Sequence, residues 1–338
     1  MRTPYKSAKV FNMSKDRNLG GDIAATHSDR VIETVSSSKA ASSPLAASWS
    51  RSLNYFGLEP DSVENRERSG SSEIKARQEE LGLLLSIAQP AMDKLHATIN
   101  LAGCSVFLSD AEGVVIDQRH AASDADDFET AGLSTGFVWS EAREGTNGIG
   151  TCAVDQRPVT IHQNQHFQSR NTVMSCMGAP IFDAAGRLAA VLDVSSFRND
   201  LSEPFASLVT QTVTQFAHQI ESDHFQQVFG NARIVRGKQD GATGAVLFAV
   251  DRDDLLIGAT RHARHSYGLN DDSFTTPQPA GSILDNIDHR AGGLEGAEQR
   301  AIRRAIAAAN GNLTAAARAL KIGRATLYRR MQALGISR

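Results

Sequence analysis

Residues 301–335 read AIRRAIAAANGNLTAAARALKIGRATLYRRMQALG, a run that fits three short helices around a small core and little else. Ile302 and Ile306, at i, i+4 spacing, put an apolar face on a first helix that Asn310-Gly311 ends. Asn312 is a good cap for a short second helix through Leu320, whose alanines allow close helix contact. Lys321-Ile322-Gly323 makes the turn, with Ile322 expected as the buried plug between helices. A third helix is expected from Arg324 to Leu334, burying Leu327, Met331 and Leu334, with Gly335 closing it. Its other face carries Arg324, Thr326, Tyr328, Arg329 and Arg330. With Lys321 in the turn, these are side chains that bond phosphates and reach base edges in a major groove. The pattern is that of a helix-turn-helix, and double-stranded DNA is the partner it implies.

Charge is divided to match. From Ala291 onward there are nine Lys/Arg against two acids, Glu295 and Glu298. That segment carries about +7, which leaves about −10 on the rest of a chain whose net charge is −3. A basic tail on an acidic body suits a phosphate-binding module joined to something else.

At 338 residues the chain can hold two or three domains with cores of their own. No apolar run approaches the roughly 20 residues needed to span a bilayer, so no membrane partner is expected. Met1 to Lys39 lacks the apolar core of a signal peptide. Cys104, Cys152 and Cys176 are too few and too scattered for a disulfide framework, and a reducing cytoplasm fits best.

The polar stretch 1–43 is expected to be disordered, with an entry helix and polar linker over 44–72. Pro44 to Leu58 has Trp49 and Leu53 on one face. Glu73 to Asn100 follows a three-four apolar pattern through Leu84, Leu85, Ala88, Met92, Leu95 and Ile99, and Pro90 is expected to kink it. Then the period falls to two. Cys104–Leu108 and Val114–Asp117 flank Asp110-Ala-Glu-Gly113, and Ser175–Phe182 and Leu188–Val194 flank Asp183-Ala-Ala-Gly186, giving two hairpins. Pro158 to His162 is a further strand, and Ser202-Glu203-Pro204 opens a helix to about Phe229. An α+β domain over 73–230 follows. A shorter block over 240–277 reads strand, acidic turn, strand, helix, and 278–293 reads as a polar linker before the helix-turn-helix of 294–338.

Several of these segments carry a resemblance. Glu141–Ile161 (EAREGTNGIGTCAVDQRPVTI) and Asn171–Ser195 (NTVMSCMGAPIFDAAGRLAAVLDVS) resemble the GAF sensor domain of the acetoin catabolism regulator family of bacterial activators. Trp49-Ser-Arg51 followed by Gly57-Leu-Glu-Pro60 is similar to that family's entry helix, and Ala245–Leu269 looks like its PAS-like insert. GNLTAAARAL and RATLYRRM resemble the second and third helices of the Fis-type helix-turn-helix that closes many such regulators. Two positions depart from that pattern: Lys321 stands where a turn glycine is usual, and Gly323 where Ser or Asn caps the third helix. The implied fold class is α+β, with a GAF-like antiparallel sheet flanked by long helices, a partial PAS-like segment and a C-terminal three-helix reader.

One part of the family pattern is missing. No G-x-x-x-x-G-K-[ST] loop occurs, so ATP binding and action on the sigma-54 polymerase are not expected. Gly145–Gly150 (GTNGIG) lacks the lysine and reads as a structural turn.

Candidate ligand-lining residues are Trp139, Thr146, Asn147, His166, Met174 and Cys176, since sensor pockets are mainly apolar with a few polar anchors. The same side chains suit ordinary core packing. His162 and His166 are four apart, but the strand-into-loop pattern there offers no shared helical face and no third ligand, so no metal is expected. Nor does any motif imply a cofactor or a catalytic residue. The expectation is a non-enzymatic, ligand-responsive transcription regulator. A small metabolite is its effector, RNA polymerase a possible contact, and a homodimer is held by the long helices at 73–100 and 202–229. Two rivals stand beside it: an architectural DNA-bending protein that uses the GAF part only as a scaffold, and a cysteine-dependent methionine sulfoxide reductase.

Overall fold

The structure, a computed structural model, describes residues 26–37, 43–63, 65–238, 244–276, 278–283 and 294–336. Helix α1 (His27–Ser36) lies inside the stretch expected to be disordered. A Thr26–Asp29 capping box starts it, and the fully buried Val31 joins Trp49 and Phe167 in one apolar cluster. Val31 and Val35, two of three apolar residues in this polar decapeptide, hold it because a partner surface waits for them. The remainder of 1–43, apart from Thr26, Ser37 and Ser43, lies outside the described residues.

Helix α2 (Pro44–Ser50) continues as a wide π-helical turn, Arg51–Tyr55. The segment expected as a linker does not hang free. Glu67 O accepts from Val138 N at 3.1 Å, Ser69 N donates to Gly136 O at 2.8 Å, and Arg68 bridges Phe137. Its polar composition hid this because the pairing uses main-chain groups, which any residue carries.

Helix α3 (Ser71–Ile99) bends at Gly82, whose φ of 43° and ψ of −109° are non-helical. Pro90, expected to cause the kink, sits within the continuous helix, and glycine's free access to positive φ accounts for the break where it falls. Then come β1 (Ser105–Asp110), β2 (Val115–Arg119), α4 (Ala125–Thr130), α5 (Glu141–Glu144), α6 (Gly148–Asp155) and β3 (Val159–His162). β4 (Ser175–Phe182), β5 (Leu188–Ser196) and α7 (Glu203–Val228) complete the unit.

The five strands form an antiparallel sheet in the order β2-β1-β5-β4-β3. Strand alternation gives it two buried faces. Leu192 and Val194 of β5 point toward α3 and α7, packing with Met92, Leu95, Val213 and Ile220. Val191 points the other way, into a second core with Phe107, Trp139, Met174 and Cys176. Burying each such large side chain contributes about 1.5–3 kcal/mol, so this sheet and its two covers are the stable centre of the molecule.

A second sheet follows, in the order β6-β7-β8-β9: β6 (Arg233–Arg236), β7 (Leu247–Val250), β8 (Leu255–Ala259) and β9 (Gln278–Pro279). Helices α8 (Arg261–Ser266) and α9 (Asp272–Thr275) lie between its last two strands. The block expected over 240–277 thus forms a sheet that begins before 240 and runs past 277, with β9 falling in the stretch expected as linker. β6 escaped notice because only four residues, half-buried at most, form it.

The chain ends in α10 (Leu294–Ala308), α11 (Leu313–Ala319) and α12 (Arg324–Ala333). Ile302, Leu313, Ala316, Ala317, Leu327 and Met331 form their core. Ala316 and Ala317, fully or nearly buried, permit the close approach that a larger side chain would block.

Candidate functional site

The geometry of the last three helices begins at their junctions. Asn312 Oδ1 accepts from the backbone N–H of Thr314 and Ala315 at 3.1 and 3.2 Å, a cap worth about 1 kcal/mol. Lys321 adopts φ +56°, the left-handed turn conformation that usually calls for glycine and costs a branched or long side chain about 1 kcal/mol. The turn closes with Lys321 N donating to Arg318 O and Ile322 N to Ala317 O, both at 3.0 Å. Ile322 packs on the core as expected, though half-buried rather than enclosed, and Gly335 closes α12 at φ +65°.

The six candidate DNA contacts then divide. Lys321, Arg324 and Arg329 are exposed, and among the described residues none of the three has an ion-pair partner. Arg324 lies over the Tyr328 ring at 5.6 Å. Tyr328 is half-buried against the helical core, and Thr326 is also half-buried. Arg330 points back: its Nε lies 3.3 Å from Glu298 Oε1 on α10. That pair ties α12 to α10 and draws one guanidinium off the outer face.

The six candidate ligand-lining residues also separate into two groups. Trp139, Met174 and Cys176 share the second core of the five-stranded sheet, and Trp139 Nε1 donates to Gly132 O at 2.6 Å. His166 touches that core through Nε2, 3.3 Å from Cys176 Sγ, while its Nδ1 lies 2.9 Å from Gln163 O. Burial drives the His166 pKa down to about 4, so the ring is neutral. Thr146 and Asn147 belong elsewhere. Thr146 Oγ1 lies 2.6 Å from Ser48 Oγ, inside a buried network where Ser48 also bonds Glu141 and Arg51 Nε donates to Glu141 Oε2 at 2.9 Å. Asn147 caps α6, accepting from Gly150 N and donating to Gly145 O, both at 2.8 Å. These two residues fasten the entry helix and the glycine loop.

The glycines of that loop have steric reasons. A Cβ on Gly150 would stand 2.3 Å from Glu141 N, and one on Gly148 would stand 2.4 Å from Asp193 Oδ1. GTNGIG is therefore a close-approach turn opening a helix, not a phosphate cradle.

Asp193 was not singled out in the sequence, although a lone carboxylate in the apolar run LAAVLDVSS is a visible anomaly. It points into the second core, between Phe107 and Gly178 of the neighbouring strands. Ser195 Oγ lies 2.6 Å from Asp193 Oδ2 and 3.0 Å from Cys176 Sγ, while Asp193 Oδ1 meets no hydrogen-bond partner among the described residues. Burial pushes its carboxyl up to about 7 against the pull of the Ser195 hydroxyl. The Cys152 and Cys176 thiols are pushed well up, by burial first and then by Asp193. Both stay protonated.

This architecture is that of a sensor-type sheet domain joined to a small three-helix DNA-reader motif. Family models agree on both parts: residues 83–222 match the GAF domain, and residues 293–338 match the bacterial regulatory protein Fis family. The chain therefore joins a GAF domain to a Fis-family helix-turn-helix, and its homologues are acetoin catabolism regulators and related activators. The acetoin catabolism regulatory protein of Cupriavidus necator is 30% identical over 221 residues, covering 64% of this chain and 33% of that protein. The acetoin dehydrogenase operon transcriptional activator AcoR of Bacillus subtilis is 28% identical over 37% of this chain and 20% of its own length. The propane 2-monooxygenase operon transcriptional activator MimR of Mycolicibacterium smegmatis is 28% identical over 33% of this chain and 20% of its own. The chain thus spans a third or less of the length of these relatives. Among solved structures, the E. coli DhaR(N)–DhaL complex aligns with a TM-score of 0.46 and 15% identity, over 78% of this chain and 85% of that one. No helix among the described residues is long and apolar enough to cross a membrane.

Proposed function

We propose that the chain is a ligand-responsive, sequence-specific transcription regulator that binds double-stranded DNA as a homodimer in the cytoplasm. A sensor domain over 73–230 answers a small metabolite, and the reader over 294–338 carries the response to DNA. The observation that carries this is the outer surface of α12 and its turn. Lys321, Arg324 and Arg329 stand exposed with no carboxylate on them among the described residues, at a helix fixed from behind by Leu327, Met331 and the Arg330–Glu298 pair. Cations held at fixed spacing on a helix of groove-filling width suit phosphates and purine edges. The relatives' names, a catabolism regulatory protein and two operon transcriptional activators, support the regulatory role. The missing phosphate-cradling loop supports control through DNA occupancy or polymerase contact rather than through ATP.

Enzymatic use of the cysteines finds no support in the site. A nucleophilic thiol needs a lowered pKa, and burial drives Cys152 and Cys176 the other way. The proposal is tested by selecting duplexes from a random pool with the full-length chain. Enrichment of a two-fold symmetric sequence with half-sites about 34–36 Å apart is expected. A bound pool with no enriched sequence would favour the architectural role instead.

A further inference from the structure

A cavity of about 690 Å³ lies between the GAF sheet and α8 of the second sheet domain, apart from the core that holds Trp139, Met174 and Cys176. Its floor is apolar, built from Pro158, Pro180 and Phe182 on the GAF side and Leu269 on the other. Its rim is cationic: Arg157, Arg187, Arg261 and Arg264 line it, against one carboxylate, Asp271. Three of these guanidiniums are answered by acids, Arg157 by Asp155, Arg187 by Asp183 and Arg264 by Asp271, at 2.7 to 2.9 Å.

Arg261 is different. Its guanidinium stacks on the Phe182 ring at 4.1 Å and donates to Gly186 O at 3.2 Å and Gln156 Oε1 at 2.8 Å, all neutral groups. Among the described residues it has no ion-pair partner. The carboxyl whose charge bears on it, Glu221, accepts from Phe182 N at 2.9 Å and is pushed up to about 8 by burial, so it is mostly protonated at neutral pH. The Arg261 charge is left uncancelled. His262 reports the same field: its pKa is lowered by burial and then by His265 and Arg261. The His262 ring also meets His218 of α7 edge-on at 5.9 Å, so the cavity sits where the two domains touch.

We propose that this interdomain cavity is a binding site for a small organic anion with an apolar body. Its carboxylate or phosphate seats on Arg261, and the apolar part lies on Phe182 and the two prolines. A volume of this size holds a small metabolite, and one charged anchor in an apolar pocket is the usual division of labour in such sites. A carboxylate on a planar guanidinium forms paired charge-assisted bonds, and stacking on Phe182 has already fixed the guanidinium plane. Because the walls come from two domains, an occupant would hold α8 against α7. Its regulatory meaning rests on the ligand-responsive function proposed above, but its binding does not.

The test is calorimetric titration of the full-length chain, without DNA, using benzoate, with benzamide as the uncharged analogue and inorganic phosphate as the anion without an apolar body. Benzoate should bind more tightly than either control. Arg261→Gln should weaken it by about ten- to a hundredfold, the loss expected for a charge-assisted hydrogen-bonding partner. Thr214→Glu adds a like charge to the α7 wall without removing any contact to Arg261, and should weaken benzoate in the same direction. Binding should also shift the His218 and His262 ring proton signals. Three results would overturn the proposal: no heat with benzoate up to about 10 mM, equal affinity for benzamide, or unchanged benzoate affinity in Thr214→Glu. A chain that bound no duplex at all would still give a clear answer here, so the two proposals fail separately.

Discussion

Asp254 Oδ2 accepts from Arg304 Nη1 at 3.2 Å, joining the β7–β8 turn to the first helix of the DNA reader. The same carboxylate accepts from Arg233 at 2.8 Å and lies 3.9 Å from Arg300, while Asp253 pairs with Arg303. Two adjacent acids in one turn thereby engage three arginines of α10. Asp254 is nearly buried and sits at φ +61°, a conformation that Asn tolerates as well as Asp does. Asp254→Asn should keep the turn and lose the charge, at a cost of about 1–3 kcal/mol. Hydrogen exchange of α10 amides should then accelerate while the GAF sheet is unchanged. Unaltered exchange in α10 would mean that the acidic turn does not hold the reader.

The buried carboxyls set a pH dependence. Glu221 is pushed up to about 8 from its ordinary 4.5, and Asp193 to about 7 from 3.8, both mainly by burial. Folding keeps these groups protonated, so their contribution is fully present below about pH 4 and is lost as pH rises through the folded values. His166, lowered to about 4 from 6.5, acts in the opposite sense: its contribution is complete above 6.5 and falls away as pH drops toward 4. Each titrating group changes stability by at most about 1.4 kcal/mol per pH unit. Glu221→Gln should therefore gain stability over the parent progressively between pH 5 and pH 8, followed by urea unfolding. A difference that stays flat across that range would contradict the buried, protonated carboxyl.

Leu101, Phe205 and Leu208 are exposed near the end of α3 and the start of α7, and Leu101 and Phe205 line one shallow cleft. Leu208 is 59% exposed, and a second copy of the chain is the expected cover for this patch. Leu208→Glu should convert a dimer to a monomer in light scattering at micromolar concentration, with its circular dichroism unchanged. A parent chain that is monomeric with and without DNA would refute the dimer.

Much of this fold was legible because apolar spacing reports directly on burial. The five GAF strands, α7 and the capped helices of the reader all follow from period and cap residues such as Ser202 and Asn312. Long-range pairing was not legible. Val31 looks isolated in a polar run until Trp49 and Phe167 meet it, and Glu67 gives no sign that its carbonyl receives Val138. The candidate site shows the same limit. Thr146 and Asn147 sit in a glycine loop where a ligand anchor and a structural cap look alike. Only the positions of Ser48 and Gly150 tell the two apart. Arg330 carries the same charge as Arg329, and the difference lies in Glu298, thirty-two residues away.

The central claim, that α12 and its turn read DNA, is tested most directly by fluorescence anisotropy on a duplex selected by the full-length chain. Arg324→Ala and Arg329→Ala should each cost about 1–3 kcal/mol in specific affinity. Arg330→Ala, whose guanidinium already serves Glu298, should cost less in affinity and show its loss in thermal stability instead. Lys321→Gly should relieve the left-handed strain while reducing the salt slope by about one. Parent-like affinity in both Arg324→Ala and Arg329→Ala, with unchanged salt dependence, would contradict the account.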